Sequence, residues 1–243
     1  MKTFIICNKQ ETERQANIAK LLKQLPSAQL VNAVYPSQTH VPFLREMMEV
    51  SKKRTGKALL PAEIGCLLSH RMVWRNIVAN ADKDAANDEA NDEEYFLILE
   101  SDSMVRDIAL LHESAQVHLP QYDIFFFGAW LGNMQLFRSS KIKWGQYSIG
   151  VPFIKTVYCT YGYAVNKKAA AYLLKQTVQL AHPVDQFKYF VNSNALKMGG
   201  IMPELIAAGT LGTYINQNKL LNWQRALWMK LLYIKNYFIC LLR

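Results

Sequence analysis

Short, continuously apolar runs alternate along the chain with longer segments of helical spacing. TFIIC (3–7) predicts a short strand, and the runs YFLIL (95–99) and YDIFFFG (122–128) are typical of strands that are buried on both faces of a sheet. TVYCTYGYAV (156–165) predicts a further strand. The alternation of strands with helical segments predicts an α/β fold with a mainly parallel central sheet.

The helical segments carry start signals. Pro61 and Pro183 fit the first turn of a helix, and Asn166 fits an N-cap. The predicted helices are ANIAKLLKQL (16–25), HVPFLREMMEVSKKR (40–54, a helix followed by a loop), PAEIGCLLSHRMVWRNIVAN (61–80), KKAAAYLLKQTV (167–178) and HPVDQFKYFV (182–191).

Charge is unevenly distributed. Residues 81–94 (ADKDAANDEANDEE) hold seven of the 19 acidic residues and one of the 28 basic residues, and we predict a solvated loop there. The remaining chain is strongly basic and suits an anionic partner: nucleic acid, a phosphorylated small molecule or an acidic membrane. We predict one catalytic domain over residues 1–218 and a basic amphipathic C-terminal tail over 219–243.

The tail holds five basic residues, no acidic residue and many large apolar side chains. It fits either a helix at an anionic membrane interface, with Trp223, Trp228 and Tyr233 near the headgroups, or a helix packed on the body of the protein. No apolar stretch approaches the length of a membrane span. We therefore predict a cytoplasmic protein, soluble or bound peripherally at the inner face of the cytoplasmic membrane.

Cysteine use agrees with a reducing compartment. The four cysteines are scattered without a CxxC pair, and they are predicted to be reduced thiols: Cys7, Cys66, Cys159 and Cys240.

Two acidic residues follow the YFLIL strand, as Glu100-Ser101-Asp102. Ligands bind outside the carboxyl ends of strands in open α/β sheets, and two carboxylates there can hold a hard divalent cation. Such a cation can stabilise a diphosphate leaving group. The alternative is that these acids only begin a loop.

Other residues allow both a chemical and a structural role. Asp185 in His182-Pro183-Val184-Asp185 is a helix cap or a general base, and His182 is structural or a metal ligand. Cys66 and His70 share a helix face, as a packed pair or a nucleophile pair. Arg14 is an exposed helix-start residue or a phosphate contact.

Several common templates are absent from the sequence. We find no GxGxxG, GxxxxGK[ST], HExxH or GxSxG, and no RNA-binding motif. Nucleic acid is therefore not expected as a partner, although a basic nucleic-acid protein stays a third hypothesis.

Taken in order, the blocks resemble glycosyltransferase family 25, with bacterial lipooligosaccharide galactosyltransferases as the closest likeness. The resemblance runs from residue 4 to about 190 and rests on TERQANI, ExGCLLSHRMVW, YFLILESD, GYAVNKKAAAYLL and HPVD. It implies a GT-A-like fold, a nucleotide-sugar donor such as UDP-galactose, a divalent metal such as Mn²⁺ and inversion at the anomeric carbon.

The resemblance also implies site residues. Glu100 and Asp102 match the outer acids of the Glu-Asp-Asp motif that holds the metal and the donor diphosphate, whereas Ser101 replaces the middle acid. We expect the outer pair to suffice, because alternate side chains of an extended segment point the same way. The remaining matches are Glu13 and Arg14 near the nucleotide, Ser69, His70 and Trp74 on the donor-side helix, and Asp185 as base or acceptor contact.

The predicted reaction is transfer of galactose to a lipid-linked core oligosaccharide, with metal-assisted departure of UDP. Two alternatives stay open: the same fold with UDP-glucose or another glycan acceptor, and an inactive sugar- or nucleotide-binding module at the membrane.

Overall fold

The computed structural model of the chain describes residues 1–86, 94–129, 133–158, 160–209 and 223–243, with side chains for all of these except 80–86 and 223–229. The described part contains the α-helices α1 (Thr12–Gln24), α2 (Leu44–Thr55), α3 (Pro61–Ala86), α4 (Ile108–Val117), α5 (Lys167–Gln176) and α6 (Trp223–Leu242). It also contains the strands β1 (Lys2–Cys7), β2 (Gln29–Asn32), β3 (Tyr95–Glu100), β4 (Ser103–Val105), β5 (Ile124–Phe126), β6 (Ile142–Trp144), β7 (Tyr147–Gly150), β8 (Gly162–Asn166), β9 (Met198–Met202) and β10 (Ile206–Ala208).

Eight strands form one sheet in the order β2-β1-β3-β8-β5-β9-β7-β6, and β4 pairs with β10 in a separate antiparallel ribbon. The predicted α/β class is confirmed, and the arrangement is consistent with a GT-A-like fold. The sheet is mixed rather than mainly parallel, because β8 runs antiparallel between β3 and β5 and β7 runs antiparallel to both β6 and β9. Parallel pairing is confined to β2-β1-β3 and β5-β9.

Each face of the large sheet is covered by helices, and the alternation along the strands divides the core in two. Phe4 and Ile6 of β1 point to the face covered by α2, α3 and α5. Ile5 and Cys7 point to the face covered by α1 and α4. Strands buried on both faces explain the continuous apolar runs in the sequence.

One helix extends well beyond its predicted end. α3 runs on to Ala86, so residues 81–86 of the acidic segment are helical rather than loop, while 87–93 lie outside the described residues. Alanine is the best helix former, and the three alanines in 81–86 favour continuation of α3. α2 covers Leu44–Thr55, close to the predicted segment 40–54, and Gly56, whose φ of 78° is left-handed, caps its C-terminus.

The helix predicted at HPVDQFKYFV is wrong. The segment forms only a 3-10 turn at Phe187–Tyr189, because Phe187 and Phe190 are both drawn into the core. Asp185 therefore does not cap a regular helix. The strand predicted at 156–165 begins only at Gly162, and Cys159 lies outside the described residues.

Local capping is predicted correctly where the chemistry is local. The Asn166 side chain accepts a hydrogen bond from the Ala169 amide at 2.9 Å and begins α5. Among the described cysteines, Cys7, Cys66 and Cys240 are free thiols, as predicted.

The C-terminal segment forms α6. Its Cys240 is buried, and the Gln135 amide donates to the Tyr233 carbonyl oxygen at 3.1 Å, so one side of the helix packs on the body. The opposite side is exposed. Across the described residues, no helix has the length and apolar character needed to cross a membrane. Residues 219–222 and the side chains of Trp223 and Trp228 lie outside what is described.

Candidate functional site

A short loop, Glu100–Ser103, leaves the carboxyl end of β3 and enters β4. It lies at the same edge of the sheet as the end of β1 and the start of α1, because β1 and β3 are parallel neighbours. This is the edge at which α/β sheets bind ligands.

The loop is fixed by side chains that satisfy its backbone. The Asn17 amide of α1 donates to the carbonyl oxygens of Ser101 at 2.8 Å and Ser103 at 2.9 Å. The Ser103 hydroxyl accepts from the Glu100 amide at 2.9 Å and donates to the Tyr161 carbonyl oxygen. These bonds set the directions in which the Glu100 and Asp102 side chains leave the loop.

Arg14 reaches this loop from α1 and is only 8% exposed. Its Nη1 donates to Ser101 Oγ at 2.9 Å, and its Nη2 lies 3.4 Å from Asp102 Oδ2. Glu11 is also buried, and its carboxylate accepts from Ser101 Oγ at 3.4 Å and from the Tyr35 hydroxyl. The arginine and the glutamate therefore share the side of the loop occupied by Ser101.

This geometry bears on the serine at the middle position of the motif. Ser101 faces Arg14 and Glu11, whereas Glu100 faces a separate set of partners on α3 and before β8. A carboxylate at position 101 would lie beside the Arg14 guanidinium, which Asp102 Oδ2 already approaches at 3.4 Å, and not beside the partners of Glu100.

Glu100 is held by three side chains on one oxygen. His70 Nε2 lies 3.2 Å from Glu100 Oε1, the Thr160 hydroxyl donates to the same oxygen, and Cys66 Sγ lies 4.0 Å from it. Burial raises the pKa of Glu100, but the hydrogen bonds from His70 and Thr160 outweigh burial and lower it below its usual value. Glu100 is therefore ionised, and its Oε2 is the oxygen available to a ligand.

A hydrogen-bond chain orients His70. Trp74 Nε1 donates to the Tyr163 hydroxyl oxygen at 2.9 Å, and that hydroxyl lies 2.9 Å from His70 Nδ1. Indole nitrogen is only a donor, so the Tyr163 proton is available to His70 Nδ1. The ring then carries its proton on Nε2, which faces Glu100. His70 and Trp74 are fully buried, so their role is to position Glu100.

Two carboxylates near Glu100 have raised pKa values. The pKa of Asp102 is raised to about 6 by burial and by the charge of Glu100, with Arg14 opposing. The pKa of Asp185 is raised to about 6 by burial and by the charges of Glu100 and Glu63. Both are consequences of negative charge accumulating in a desolvated place.

The same two residues carry unsatisfied oxygens. Among the residues whose side chains are described, Asp102 Oδ1 and Asp185 Oδ1 are buried atoms without a hydrogen-bond partner. Buried polar atoms of this kind require an explanation, and a bound cation is one. Carboxylate oxygens are the ligands that Mg²⁺ and Mn²⁺ prefer, so the residues present fit a hard divalent cation.

The nucleophile-pair hypothesis for Cys66 and His70 finds no support. Burial, together with the charges of Glu100 and Asp185, raises the pKa of Cys66 well above its usual value, so the thiol is protonated. Ligand atoms of Cys66, His70 and Glu100 lie within 4.8 Å of one another. Both His70 nitrogens already have hydrogen-bond partners, Tyr163 and Glu100, so the short distances between these three residues are explained without a metal ion.

Two predicted donor-side residues lie apart from the loop. Ser69 Oγ accepts from the Val34 amide at 2.8 Å and donates to the Gly65 carbonyl oxygen at 2.7 Å, which joins α3 to the segment after β2. Glu13 lies on the exposed side of α1, and Glu11 is the acid that contacts Ser101.

Asp185 is followed by a basic and aromatic group. Lys188 Nζ lies 3.3 Å from the Tyr158 hydroxyl and 4.8 Å from the centre of the Tyr189 ring, and His182 stacks on Tyr189 at 3.8 Å. Tyr189 is half exposed. The four side chains form a cluster of aromatic rings around one cation, next to Asp185 in the chain.

Sequence reasoning missed several residues that organise the site. Asn17 lies nearly one helical turn after Arg14, and this spacing is the signal that could have placed it on the same face. Thr160 and Tyr163 stand in a segment predicted as strand, but which strand neighbours β3 is not readable from the sequence. Glu11 precedes the predicted helix and carries no motif.

Comparison with known proteins agrees with this geometry. No curated protein matches the chain significantly. The model of glycosyltransferase family 25 (LPS biosynthesis protein) matches residues 1–188, a range that includes Arg14, the Glu100–Ser103 loop and Asp185. Membership of this family implies a nucleotide-sugar donor and a glycan acceptor. The chain therefore belongs to glycosyltransferase family 25 and is a glycosyltransferase of lipopolysaccharide biosynthesis.

Proposed function

We propose that the chain transfers galactose from UDP-galactose to a lipooligosaccharide core acceptor, with inversion at the anomeric carbon. The observation that carries this proposal is the pair of buried, unpartnered oxygens on Asp102 and Asp185, which flank Glu100 at the carboxyl edge of the sheet. Because the two acids lie in different environments, they suit two different roles. We assign Asp102 to the donor and Asp185 to the acceptor.

Glu100 and Asp102 are the residues that would hold a divalent cation such as Mn²⁺. Glu100 would use Oε2, because Oε1 already accepts from His70 and Thr160. Asp102 would use Oδ1, which is buried without a partner among the described residues. When bound, the cation supplies positive charge that stabilises the diphosphate of the leaving nucleotide.

Arg14 contributes a fixed positive charge beside Ser101 and Asp102. Its guanidinium is held by Ser101 and Asp102, and a guanidinium in a defined orientation recognises phosphate oxygens by paired hydrogen bonds. A buried arginine so placed favours the charge that develops as UDP leaves.

Asp185 is the proposed general base. Its buried Oδ1 takes the proton from the acceptor hydroxyl while the hydroxyl oxygen bonds to the anomeric carbon and the bond from that carbon to the diphosphate oxygen breaks. Lys188, Tyr158 and Tyr189 lie beside it and suit an acceptor that carries phosphate or acidic sugars.

We further propose that the acceptor is lipid-linked and that the protein works at the inner, anionic face of the cytoplasmic membrane. The basic balance of the chain, 28 basic against 19 acidic residues, supports this setting.

The experiment is a screen of nucleotide sugars against truncated core glycans with mass readout, together with Mn²⁺ binding measured by electron paramagnetic resonance. UDP-galactose should be the donor, and Asp102→Asn should weaken Mn²⁺ binding by at least about 100-fold, since it removes a charged ligand. Glu113→Gln, an exposed acid on α4, is the matched control and should change neither quantity.

Unaltered Mn²⁺ binding in Asp102→Asn would contradict the assigned metal site. Transfer from UDP-glucose alone would correct the donor sugar. Binding of UDP-galactose without any turnover would indicate a sugar- or nucleotide-binding module rather than an enzyme.

A further inference from the structure

The described part of α6 leaves many large apolar side chains in solvent. The exposed fraction ranges from 39% for Leu241 to 85% for Leu242. The exposed set is Leu231, Tyr233, Ile234, Tyr237, Phe238, Leu241 and Leu242. Single exposed apolar residues are common on protein surfaces, but a contiguous patch marks an interaction site.

Helical geometry places most of these residues on one stripe. Leu231, Ile234, Phe238 and Leu241 recur at spacings of three and four, so they lie above one another along α6. Cys240 faces the opposite way and is 4% exposed. The stripe therefore points away from the body of the protein.

Basic residues border the stripe on both sides. On a helical projection, Lys230 lies to one side of the Leu231–Phe238 row and Lys235 to the other, and Arg243 stands at the C-terminal end. All three are exposed. Residues 219–243 hold no acidic side chain that could neutralise them.

This charge pattern favours an anionic lipid surface over a second copy of α6 as the binding partner of the apolar stripe. A second copy of the helix would bring lysines against lysines, and the repulsion would not be relieved by any acid in the segment. An anionic lipid surface is complementary to the same pattern, because the apolar row enters the acyl region while the lysines meet the headgroups.

We propose that the stripe Leu231, Ile234, Phe238 and Leu241 docks on an anionic lipid bilayer, with α6 lying in the plane of the interface. Lys230, Lys235 and Arg243 contact lipid headgroups, and Tyr237 lies at the border between lipid and water. This inference deepens the proposed function, because it names the part of the molecule that meets the membrane carrying the acceptor.

The helix lies on the membrane rather than through it. α6 has 20 residues, but Lys230 and Lys235 interrupt its apolar sequence near the middle. The match to the family ends at residue 188, so the transferase assignment does not account for the docking face.

The test measures binding of the full chain to vesicles of phosphatidylcholine with or without phosphatidylglycerol. The wild type should bind only the phosphatidylglycerol vesicles, and added salt should weaken binding. I234S/F238S should bind about 100-fold more weakly, because two large apolar side chains no longer enter the bilayer. V117S/V178S alters two equally exposed apolar residues elsewhere and should bind like the wild type.

A second pair of variants tests the charges. K230Q/K235Q/R243Q should also bind about 100-fold more weakly, at roughly fivefold for each charge. K52Q/K53Q/R54Q removes three exposed charges from α2 and is the matched control.

Two results would overturn the proposal. One is vesicle binding by I234S/F238S and K230Q/K235Q/R243Q equal to that of the wild type. The other is a wild-type dimer that I234S/F238S converts to a monomer in sedimentation, which would assign the stripe to a second copy. Transfer to a free oligosaccharide in solution separates this inference from the proposed function: I234S/F238S should retain it, whereas an incorrect enzyme assignment would leave even the wild type without it.

Discussion

At the scale of single residues, Asn17 determines the shape of the Glu100–Ser103 loop. Its one amide group donates to two carbonyl oxygens of that loop, and neither carbonyl belongs to α1. The side chain therefore connects the start of the first helix to the segment that presents Glu100 and Asp102.

Asn17→Ala should destabilise the protein by about 1–3 kcal/mol, because two loop carbonyls lose their donor. It should also weaken Mn²⁺ binding, since Asp102 is no longer held in position. Urea unfolding and manganese titration measure the two effects. Lys20→Ala, on the exposed side of the same helix, should leave both unchanged. Normal manganese binding in Asn17→Ala would show that the loop keeps its shape without this contact.

Asp185→Asn tests the proposed base. The variant should lower kcat by about 10²- to 10⁴-fold while UDP and Mn²⁺ binding are retained, because only the proton acceptor is lost. Steady-state kinetics with separate donor and acceptor titrations provide the measurement. A raised KM for the acceptor with unaltered kcat would instead identify Asp185 as an acceptor contact.

Residue chemistry explains which site members the sequence reveals. Asp102 and Arg14 can be picked out from the sequence because both are charged residues that follow the end of a predicted strand. Glu11 and Thr160 are not, since each gains its role only from a neighbour that is distant in sequence: Ser101 for Glu11, and Glu100 for Thr160.

At the scale of elements, Asp123, which directly precedes β5, connects this strand with β8 and β9 through hydrogen bonds. Its carboxylate accepts from the Lys197 amide before β9 at 2.8 Å, from Asn166 at the end of β8 at 3.0 Å, and from Lys168 in α5 at 2.8 Å. Burial raises the pKa of Asp123, but these hydrogen bonds outweigh it, so the pKa lies below its usual value.

A lowered pKa in the folded state means that ionised Asp123 stabilises the protein. This contribution is fully present above the unfolded pKa of about 3.9 and is lost as pH falls through the folded pKa. Asp123→Asn should therefore cost about 2–3 kcal/mol at neutral pH, and the difference from the wild type should shrink below about pH 4.

Urea unfolding at several pH values measures this dependence. Lys168→Gln is the matched control, because the Lys168 side chain is 60% exposed and its removal should cost less than about 1 kcal/mol. A constant difference across the pH range would show that Asp123 acts through packing rather than charge.

Elements also differ in how far the sequence determines them. The start of α5 is predictable because Asn166 caps the helix through atoms three residues away. The segment after Pro183 is not, because its conformation follows from Phe187 and Phe190 entering a core made by distant strands and helices. The antiparallel position of β8 depends on pairing with β3 and β5, which no local pattern encodes.

At the scale of the whole molecule, one turn links the end of α6 to the segment that follows Asp185. Ile239 and Arg243 of α6 border a shallow cavity with Phe153 and Lys155. The turn Ile154–Thr156 packs against the turn Phe187–Tyr189, which carries Lys188. An acceptor held by a lipid bilayer would therefore approach from the side of Asp185.

This arrangement predicts a difference between acceptors. I234S/F238S should raise the KM for a lipid-linked acceptor in vesicles by at least about 10-fold and leave the KM for the free oligosaccharide unchanged, since docking acts by raising local concentration. Parallel assays with the two acceptors measure it. An equal loss on both would mean that α6 supports the catalytic domain itself.

The hydrogen bonds from Trp74 through Tyr163 to His70 all run in one direction, and that direction has an electrical consequence. Each dipole in the series points its positive end toward Glu100, so oriented N–H and O–H groups stabilise the negative charge of this carboxylate. A carboxylate stabilised in this way remains ionised, and its second oxygen, Oε2, stays available for the cation proposed above.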